Sequence, residues 1–147
     1  ELTGFDLYTT ENGDCFHCHS HSNPLLGDGL FRNNGLDSLL HQSQFSDFGR
    51  GYVTNYEFDN GKFRSVSLRN IEYTAPYMHD GRMLTLEEVI EHYNSGGFFS
   101  PTVDVNMKHT TDGGLFMSEV EKAALLDFLK MLSDPSILSN PEYSNPF

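Results

Sequence analysis

Residues 14–19 read Asp-Cys-Phe-His-Cys-His, and this stretch decides how the rest of the chain must be arranged. Cys15 and Cys18 are one helical turn apart, so both sulfurs can face the same direction. His19 follows directly and completes C-x-x-C-H, the attachment signature of a c-type heme. Two thiols add to the two vinyl groups of the porphyrin, and the next imidazole can then bind the iron as proximal ligand. The spacing therefore predicts one covalent heme c held by Cys15, Cys18 and His19.

Three other interpretations of the cysteine pair compete with heme. A disulfide that closes so short a loop stabilises a fold little, and a thioredoxin-type redox pair needs a βαβ context that is not visible. Zinc is the more serious alternative, because His17, His19 and His21 flank the cysteines. Structural zinc sites, however, usually draw on two ligand pairs that are well separated in sequence. We therefore favour heme, with His17 and His21 as solvated neighbours.

Composition excludes two classes of partner. Acidic residues number 21 and basic residues 9, which gives a net charge of −12 at pH 7. Such a chain cannot bind nucleic acid by neutralising phosphates. No apolar run approaches the roughly 20 residues that a membrane-spanning helix needs.

The chain length suits one domain, but its apolar content is low. Counted with glycine and without tyrosine, apolar residues make up about 41% of the 147 residues, below the usual 45–50% or so. A core this lean often depends on a disulfide, a metal or a prosthetic group.

Two helix starts carry the same capping signature, Ser or Thr followed three residues later by Glu. Thr85 and Glu88 begin the first, whose apolar stripe ends at Gly96-Gly97. Ser118 and Glu121 begin the second, which ends at Asp134-Pro135. The predicted buried face of the second helix consists of Val120, Ala124, Leu125, Phe128, Leu129 and Leu132.

The rest of the chain is mostly loop. Residues 2–10 are predicted to form a short helix, and residues 36–41 could hold a turn or two. Residues 62–69 alternate in polarity, which fits a strand or successive turns equally well. The fold class is therefore all-α, a cytochrome-c-like domain over residues 1–134 whose long loops wrap one covalent heme c. Residues 135–147 are Ser-, Asn- and Pro-rich and are predicted to be a tail.

Several further stretches resemble one known family. They are Phe-Arg-Ser-Val-Ser-Leu-Arg-Asn at 63–70, Thr-Ala-Pro-Tyr-Met-His-Asp-Gly-Arg at 74–82, Thr-Leu-Glu-Glu-Val at 85–89, His-Tyr-Asn-Ser-Gly-Gly at 92–97 and Phe-Leu-Lys-Met-Leu-Ser-Asp at 128–134. Together they resemble the C-terminal heme domain of the bacterial di-heme cytochrome c peroxidases, a family that includes the methylamine-dehydrogenase maturation enzymes. The resemblance covers roughly residues 1–135.

The resemblance implies a fold and an activity. Members of this family have two cytochrome-c-like domains, each with one heme c, and a calcium ion between them. The N-terminal heme reacts with peroxide, and the C-terminal heme receives electrons from a small donor protein, a cytochrome or a cupredoxin. One C-x-x-C-H here means that the chain resembles half of such an enzyme, whose partner would be the N-terminal heme domain. The alternative is a stand-alone mono-heme electron-transfer cytochrome. Heme attachment of this type and the family both imply a periplasmic or otherwise exported protein. A homodimer is also possible.

The distal ligand of the iron has several candidates. Counting along the resemblance, Tyr93 matches the position where the peroxidases carry a methionine ligand and the maturation enzymes a tyrosine. Tyr93 is the first choice, although it could also be a packed aromatic whose hydroxyl is bonded elsewhere. Met107 is the second choice, because thioether is the ordinary sixth ligand of electron-transfer hemes. The remaining alternatives are Met78, Met83 and a coordination position that is open or filled by water.

The resemblance also implies roles for four other residues. It places His79 at the heme edge, facing the other domain, where it could act in catalysis. The alternative is that His79 is an ordinary hydrogen-bonded loop histidine. Arg69 could pair with a heme propionate, since guanidinium binds carboxylates well, or could form a surface ion pair. The backbone carbonyls of Thr74 and Pro76 match the calcium ligands of the family.

Overall fold

The computed structural model describes residues 2–144, apart from the side chain of Lys108. Four α-helices lie in this part of the chain: α1 (Leu2–Thr9), α2 (Arg50–Thr54), α3 (Leu86–Asn94) and α4 (Glu119–Met131). Two short strands, β1 (Phe31–Arg32) and β2 (Phe63–Arg64), pair antiparallel with Phe31 opposite Arg64. The prediction of a helical protein with long connecting loops is confirmed.

The first and last helices pack against each other and form one side of the core. Gly4 lies so close to α4 that a Cβ at this position would overlap the carbonyl group of Ala124. The rings of Phe5 and Tyr8 contact Phe128 with centroids 5.7 and 5.1 Å apart. On α1, Tyr8 is completely buried, whereas Leu2 is exposed. Helix α1 therefore buries Gly4, Leu7 and Tyr8.

Both predicted capping boxes are present. The Oγ1 atom of Thr85 accepts the backbone N–H of Glu88, and the Glu88 carboxylate accepts the backbone N–H of Thr85. Ser118 and Glu121 repeat the arrangement at the start of α4. An ion pair of 2.8 Å between Lys122 and Glu91 joins α4 to α3. The core that these helices cover contains Leu7, Tyr8, Leu26, Leu68, Leu86, Ile90, Met117, Leu125 and Leu129.

Two predictions about burial and local structure are wrong. Val120, predicted on the buried face of α4, is 78% exposed. A helix turns about 100° per residue, so Val120 lies about 140° around the axis from the buried Leu125. The predicted helical turn over 36–41 is also absent. The 3-10 turn in this part of the chain covers residues 42–44 instead. Instead, the backbone N–H of Leu39 donates to the carbonyl of Phe99, and the backbone N–H of Phe98 donates to the carbonyl of Gly35.

The strand alternative for residues 62–69 holds only for two residues near its start, which form β2. Residues 135–144 form two 3-10 turns, Pro135–Leu138 and Pro141–Tyr143, in which no residue is buried. The last three residues of the predicted tail and the first residue of the predicted domain lie outside the described part of the chain, and the boundary at 134 stays a prediction. No helix in the described residues is long and apolar enough to cross a membrane.

Candidate functional site

The C-x-x-C-H segment, residues 15–19, folds as one helical turn a few residues after the end of α1. The backbone N–H of His19 donates to the carbonyl of Cys15 over 2.9 Å, and that of Cys18 donates to the same carbonyl over 3.3 Å. The Tyr8 hydroxyl donates to the carbonyl of His19 and ties the turn to α1. The local i to i+4 bond is the one that one turn of α-helix requires, so the spacing of the two cysteines and the histidine determines this geometry.

Both cysteines are free thiols in an environment that favours the uncharged sulfur. Burial, and then the charges of Asp14 and Cys18, raise the pKa of Cys15 to about 12. Burial also raises the pKa of Cys18 to about 11, against a lowering contribution from Arg32. A thioether carries no charge, so neutral sulfur linked to a porphyrin suits this site better than a thiolate does.

His19 is held in the orientation that an iron ligand needs. Its Nδ1 atom lies 3.1 Å from the carbonyl oxygen of Leu26. A carbonyl can only accept, so Nδ1 carries the proton and donates, and Nε2 keeps its lone pair. Burial lowers the pKa of His19, which keeps the imidazole neutral. The donor set, two neutral sulfurs and one oriented neutral imidazole, therefore fits a heme c.

Zinc at the cysteines finds no support among the described residues. The one group of three metal-binding side chains in this part of the chain is Glu11, Asp14 and His17, and it includes neither cysteine. The Nδ1 atom of His17 contacts the Asp14 carboxylate over 2.5 Å. The ring of His21 packs edge-on against Phe5 at 6.5 Å between centroids. Both histidines are therefore engaged away from the cysteine pair.

Tyr93 lies near the last turn of α3, on the side of the cysteine pair. Burial raises the pKa of Tyr93 to about 12, against a lowering contribution from the Asn34 hydrogen bond, and negative charge on Cys18 or Cys15 would act in the same direction as burial. The hydroxyl accepts a hydrogen bond of 3.2 Å from the Nδ2 atom of Asn34. The structure thus contains the hydroxyl partner that a packed tyrosine would have, and it also directs Tyr93 toward the attachment turn. The assignment of Tyr93 as distal ligand stays a prediction.

The three methionine alternatives separate in space. Asn34 also donates from Nδ2 to the sulfur of Met78 over 3.3 Å, so Met78 and Tyr93 share one partner. Met107 lies over Gly97 instead, where a Cβ would come within 3.1 Å of its Cε atom. Met83 forms a backbone bridge with Tyr77. Met78, one of the two lowest-ranked methionines in sequence, therefore shares a hydrogen-bond donor with Tyr93.

The residues singled out by the family resemblance lie at the surface. The ring of His79 stacks on Phe63 with centroids 3.6 Å apart. The Nε atom of Arg69 donates to the carbonyl of Pro24 over 2.8 Å, close to the loop whose Leu26 holds His19. Thr74 ends a 3-10 turn and Pro76 follows a cis peptide bond, and both residues are exposed. The roles predicted for these four residues stay predictions.

Sequence reasoning missed one residue beside Tyr93 and one ion-pair group. Asn34 lies in an Asn-Asn-Gly stretch that reads only as loop, and no spacing rule connects it to residues 78 and 93. Arg32 pairs with Asp28 over 2.6 Å and with Asp104 over 3.1 Å, and its charge reaches Cys18. Long-range contacts of this kind leave no local signal in a sequence.

Comparison with known proteins identifies relatives of this arrangement. Cytochrome-c peroxidase IdrP1 of Denitromonas iodatirespirans is 33% identical over 95% of this chain and 42% of its own length. Methylamine utilization protein MauG of Methylorubrum extorquens is 34% identical over 95% of this chain and 36% of its own length. No protein-family model matches the chain.

Two solved structures share the fold. The crystal structure of a MauG-like protein associated with microbial copper homeostasis aligns with 99% of this chain and 50% of that protein, at a TM-score of 0.78 and 37% identity. The diheme peroxidase BthA of Burkholderia thailandensis aligns with 91% of this chain at a TM-score of 0.70 and 19% identity, which supports the fold alone.

The fold and these similarities define a helical domain of the heme peroxidase class. The chain belongs to the family of cytochrome c peroxidases and MauG proteins and corresponds to part of such a protein. It spans about two fifths of the length of the curated relatives that it matches. The predicted family is confirmed, and the named peroxidases of this family are oxidoreductases.

Proposed function

We propose that this chain holds one covalent heme c and serves as the electron-transfer domain of a di-heme cytochrome c peroxidase-like oxidoreductase. The observation that carries the proposal is the attachment turn, in which two uncharged sulfurs accompany an imidazole whose Nδ1 is already bonded to Leu26. When bound, the heme supplies a centre that accepts and releases one electron at a time. In the same proposal, the long loops wrap around the heme.

Each residue of the attachment turn has a distinct task in this proposal. Cys15 and Cys18 tether the porphyrin, and His19 binds the iron through Nε2 while Leu26 orients the ring. Tyr8 holds the turn to the core through the His19 carbonyl. On the opposite side Tyr93 is the first-choice ligand and Met107 the second. A phenolate ligand would favour ferric iron, whereas a thioether would favour electron relay.

Electrons would enter from a small donor protein, a cytochrome or cupredoxin, and pass to a peroxidatic heme in an N-terminal heme domain of the same enzyme. Reduction of one hydrogen peroxide to two water molecules consumes two electrons and two protons. The net charge of −12 suits a basic donor, because complementary charge accelerates encounter. His79 would lie at the heme edge toward the other domain, and Arg69 would pair with a propionate.

Calcium and location follow from the same family resemblance. The carbonyls of Thr74 and Pro76 are exposed at one edge and would supply part of a calcium site that the other domain completes. Covalent heme attachment implies an exported, periplasmic protein.

Heme content and the gene itself test the proposal. A pyridine hemochrome spectrum should show heme c in the parent protein, and the Cys15→Ala/Cys18→Ala double variant should lose it after acid–acetone extraction. His21→Ala, an exposed neighbour, is the matched control and should retain the heme. A parent protein without the heme c band would overturn the proposal. A full gene with one heme motif would instead leave a mono-heme electron carrier.

A further inference from the structure

One side-chain amide on the distal side joins residues from three distant parts of the chain. The Nδ2 atom of Asn34 is 3.2 Å from the Tyr93 hydroxyl and 3.3 Å from the Met78 sulfur. A thioether can only accept, so the atom facing it must be the amide nitrogen and not the amide oxygen. The nitrogen has two N–H groups, one for each partner.

The backbone around Asn34 is held from several sides. Its carbonyl accepts the Nε2–H of the buried His92 over 2.9 Å, which links it to α3 beside Tyr93. The side chain of Asn33, itself buried, donates to Ser100 over 2.9 Å and to Thr102 over 3.0 Å. A residue fixed in this way on both sides places its own amide with little freedom, which is what a positioning residue requires.

Met78 is held in a conformation that a methionine rarely adopts. Its φ angle is +70°, in the left-handed region that is unfavourable for residues other than glycine. The backbone bridge between Tyr77 and Met83 closes the loop on which Met78 lies. Backbone strain of this kind persists where surrounding contacts enforce it, and the sulfur contact with Asn34 is one such contact.

We propose that Asn34 is the positioning residue of the distal side, and that Tyr93 and Met78 are alternative ligands of one iron between which Asn34 selects. This inference rests on the proposed heme function. An N–H donor stabilises negative charge on a phenolate oxygen. The second N–H bonds the Met78 sulfur and holds that side chain at Asn34. Asn34 thereby favours Tyr93, and its removal releases Met78.

The test replaces the amide in the full protein, produced with covalent heme. Asn34→Asp keeps the shape and removes both donors, and Asn34→Leu removes all polarity. Both variants should lose the phenolate–iron(III) charge-transfer band and gain the methionine–iron(III) band, with a higher midpoint potential. Adding Met78→Leu to Asn34→Asp should abolish the new band. Asn12→Leu, which changes an exposed asparagine, is the control and should leave the spectrum unchanged.

Different results overturn different statements. Variants that bind heme and keep the parent spectrum overturn the role of Asn34. A parent protein already ligated by methionine, or a variant spectrum of a water-ligated heme, overturns the selection between Tyr93 and Met78. If Asn34→Leu fails to take up heme, the isosteric Asn34→Asp decides. A parent protein without covalent heme overturns the proposed function itself, which distinguishes that failure from the others.

Discussion

The two sides of the proposed heme site are built in opposite ways. The proximal side comes from a single continuous segment, residues 14–19, and one carbonyl, that of Leu26. The distal side is assembled from Asn34, Met78 and Tyr93. Met78 lies 44 residues and Tyr93 lies 59 residues after Asn34 along the chain. Local covalent spacing therefore determines the proximal geometry, whereas packing of distant segments determines the distal one. Variants that remove one side at a time test this difference.

The largest effect is expected at the proximal ligand. In His19→Gly the heme should stay covalently attached through Cys15 and Cys18, but its native absorption and EPR spectra should be lost. Imidazole added to the solution should restore them, because it occupies the space of the missing side chain. Spectroscopic titration measures this rescue, with His17→Gly as the control that should need none. Native spectra in His19→Gly would show that another residue is the proximal ligand.

The next effect is expected at Tyr93. Tyr93→Phe retains the packed ring and removes the oxygen, so the ferric spectrum should change and the midpoint potential should rise as the phenolate is lost. Redox titration and EPR measure both changes. Tyr77→Phe, whose hydroxyl bonds the carbonyl of Ile71 over 2.9 Å instead, is the matched control. An unchanged spectrum in Tyr93→Phe would refute tyrosine ligation.

A smaller effect is expected at the start of α3, the helix that carries Tyr93. Thr85→Ala removes the oxygen that accepts the backbone N–H of Glu88, and loss of such a cap costs about 1 kcal/mol. Denaturant unfolding should show this decrease in the free energy of unfolding, with the heme spectrum in the native state unchanged. Thr3→Ala, at an exposed helical position, should have almost no effect. Equal stability of the two variants would contradict the capping role.

The smallest effect is expected from the ion pairs beside Cys18. Burial would raise the pKa of Asp28, but its hydrogen bonds and the charge of Arg32 outweigh this and lower it. The resulting stabilisation is present above the unfolded-state pKa of about 3.9 and is lost as the pH falls through the lower folded-state pKa. Asp28→Asn should therefore destabilise the protein by about 0.5 kcal/mol at pH 7 and by less below about pH 4.

Unfolding curves at several pH values measure this difference, with the exposed Asp127→Asn as control. A loss of stability in Asp28→Asn that is the same at pH 7 and pH 3 would assign the effect to packing and not to charge.

Elements that rest on neighbouring residues were predictable. The two capping boxes, the helix at the N-terminus and the attachment turn each depend on contacts within four residues, and the structure contains all of them. Residues 36–41 fail as a helix because their backbone N–H groups bond elsewhere. That of Leu39 donates to the distant Phe99 carbonyl, and those of Leu40 and His41 donate to the Gln44 side chain. Val120 fails as a core residue because the burial of α4 depends on where α1 and α3 lie.

The sequence by itself predicted the attachment turn and the capped starts of α3 and α4, because these follow from residue spacing and local hydrogen bonds. It also indicated the family, through the motifs that the chain shares with it. Only the tertiary structure decided that Met78 and Tyr93 share the Asn34 amide, whereas Met107 lies against Gly97. Such choices depend on loop paths over tens of residues, in which each contact is weak and only their sum selects one arrangement.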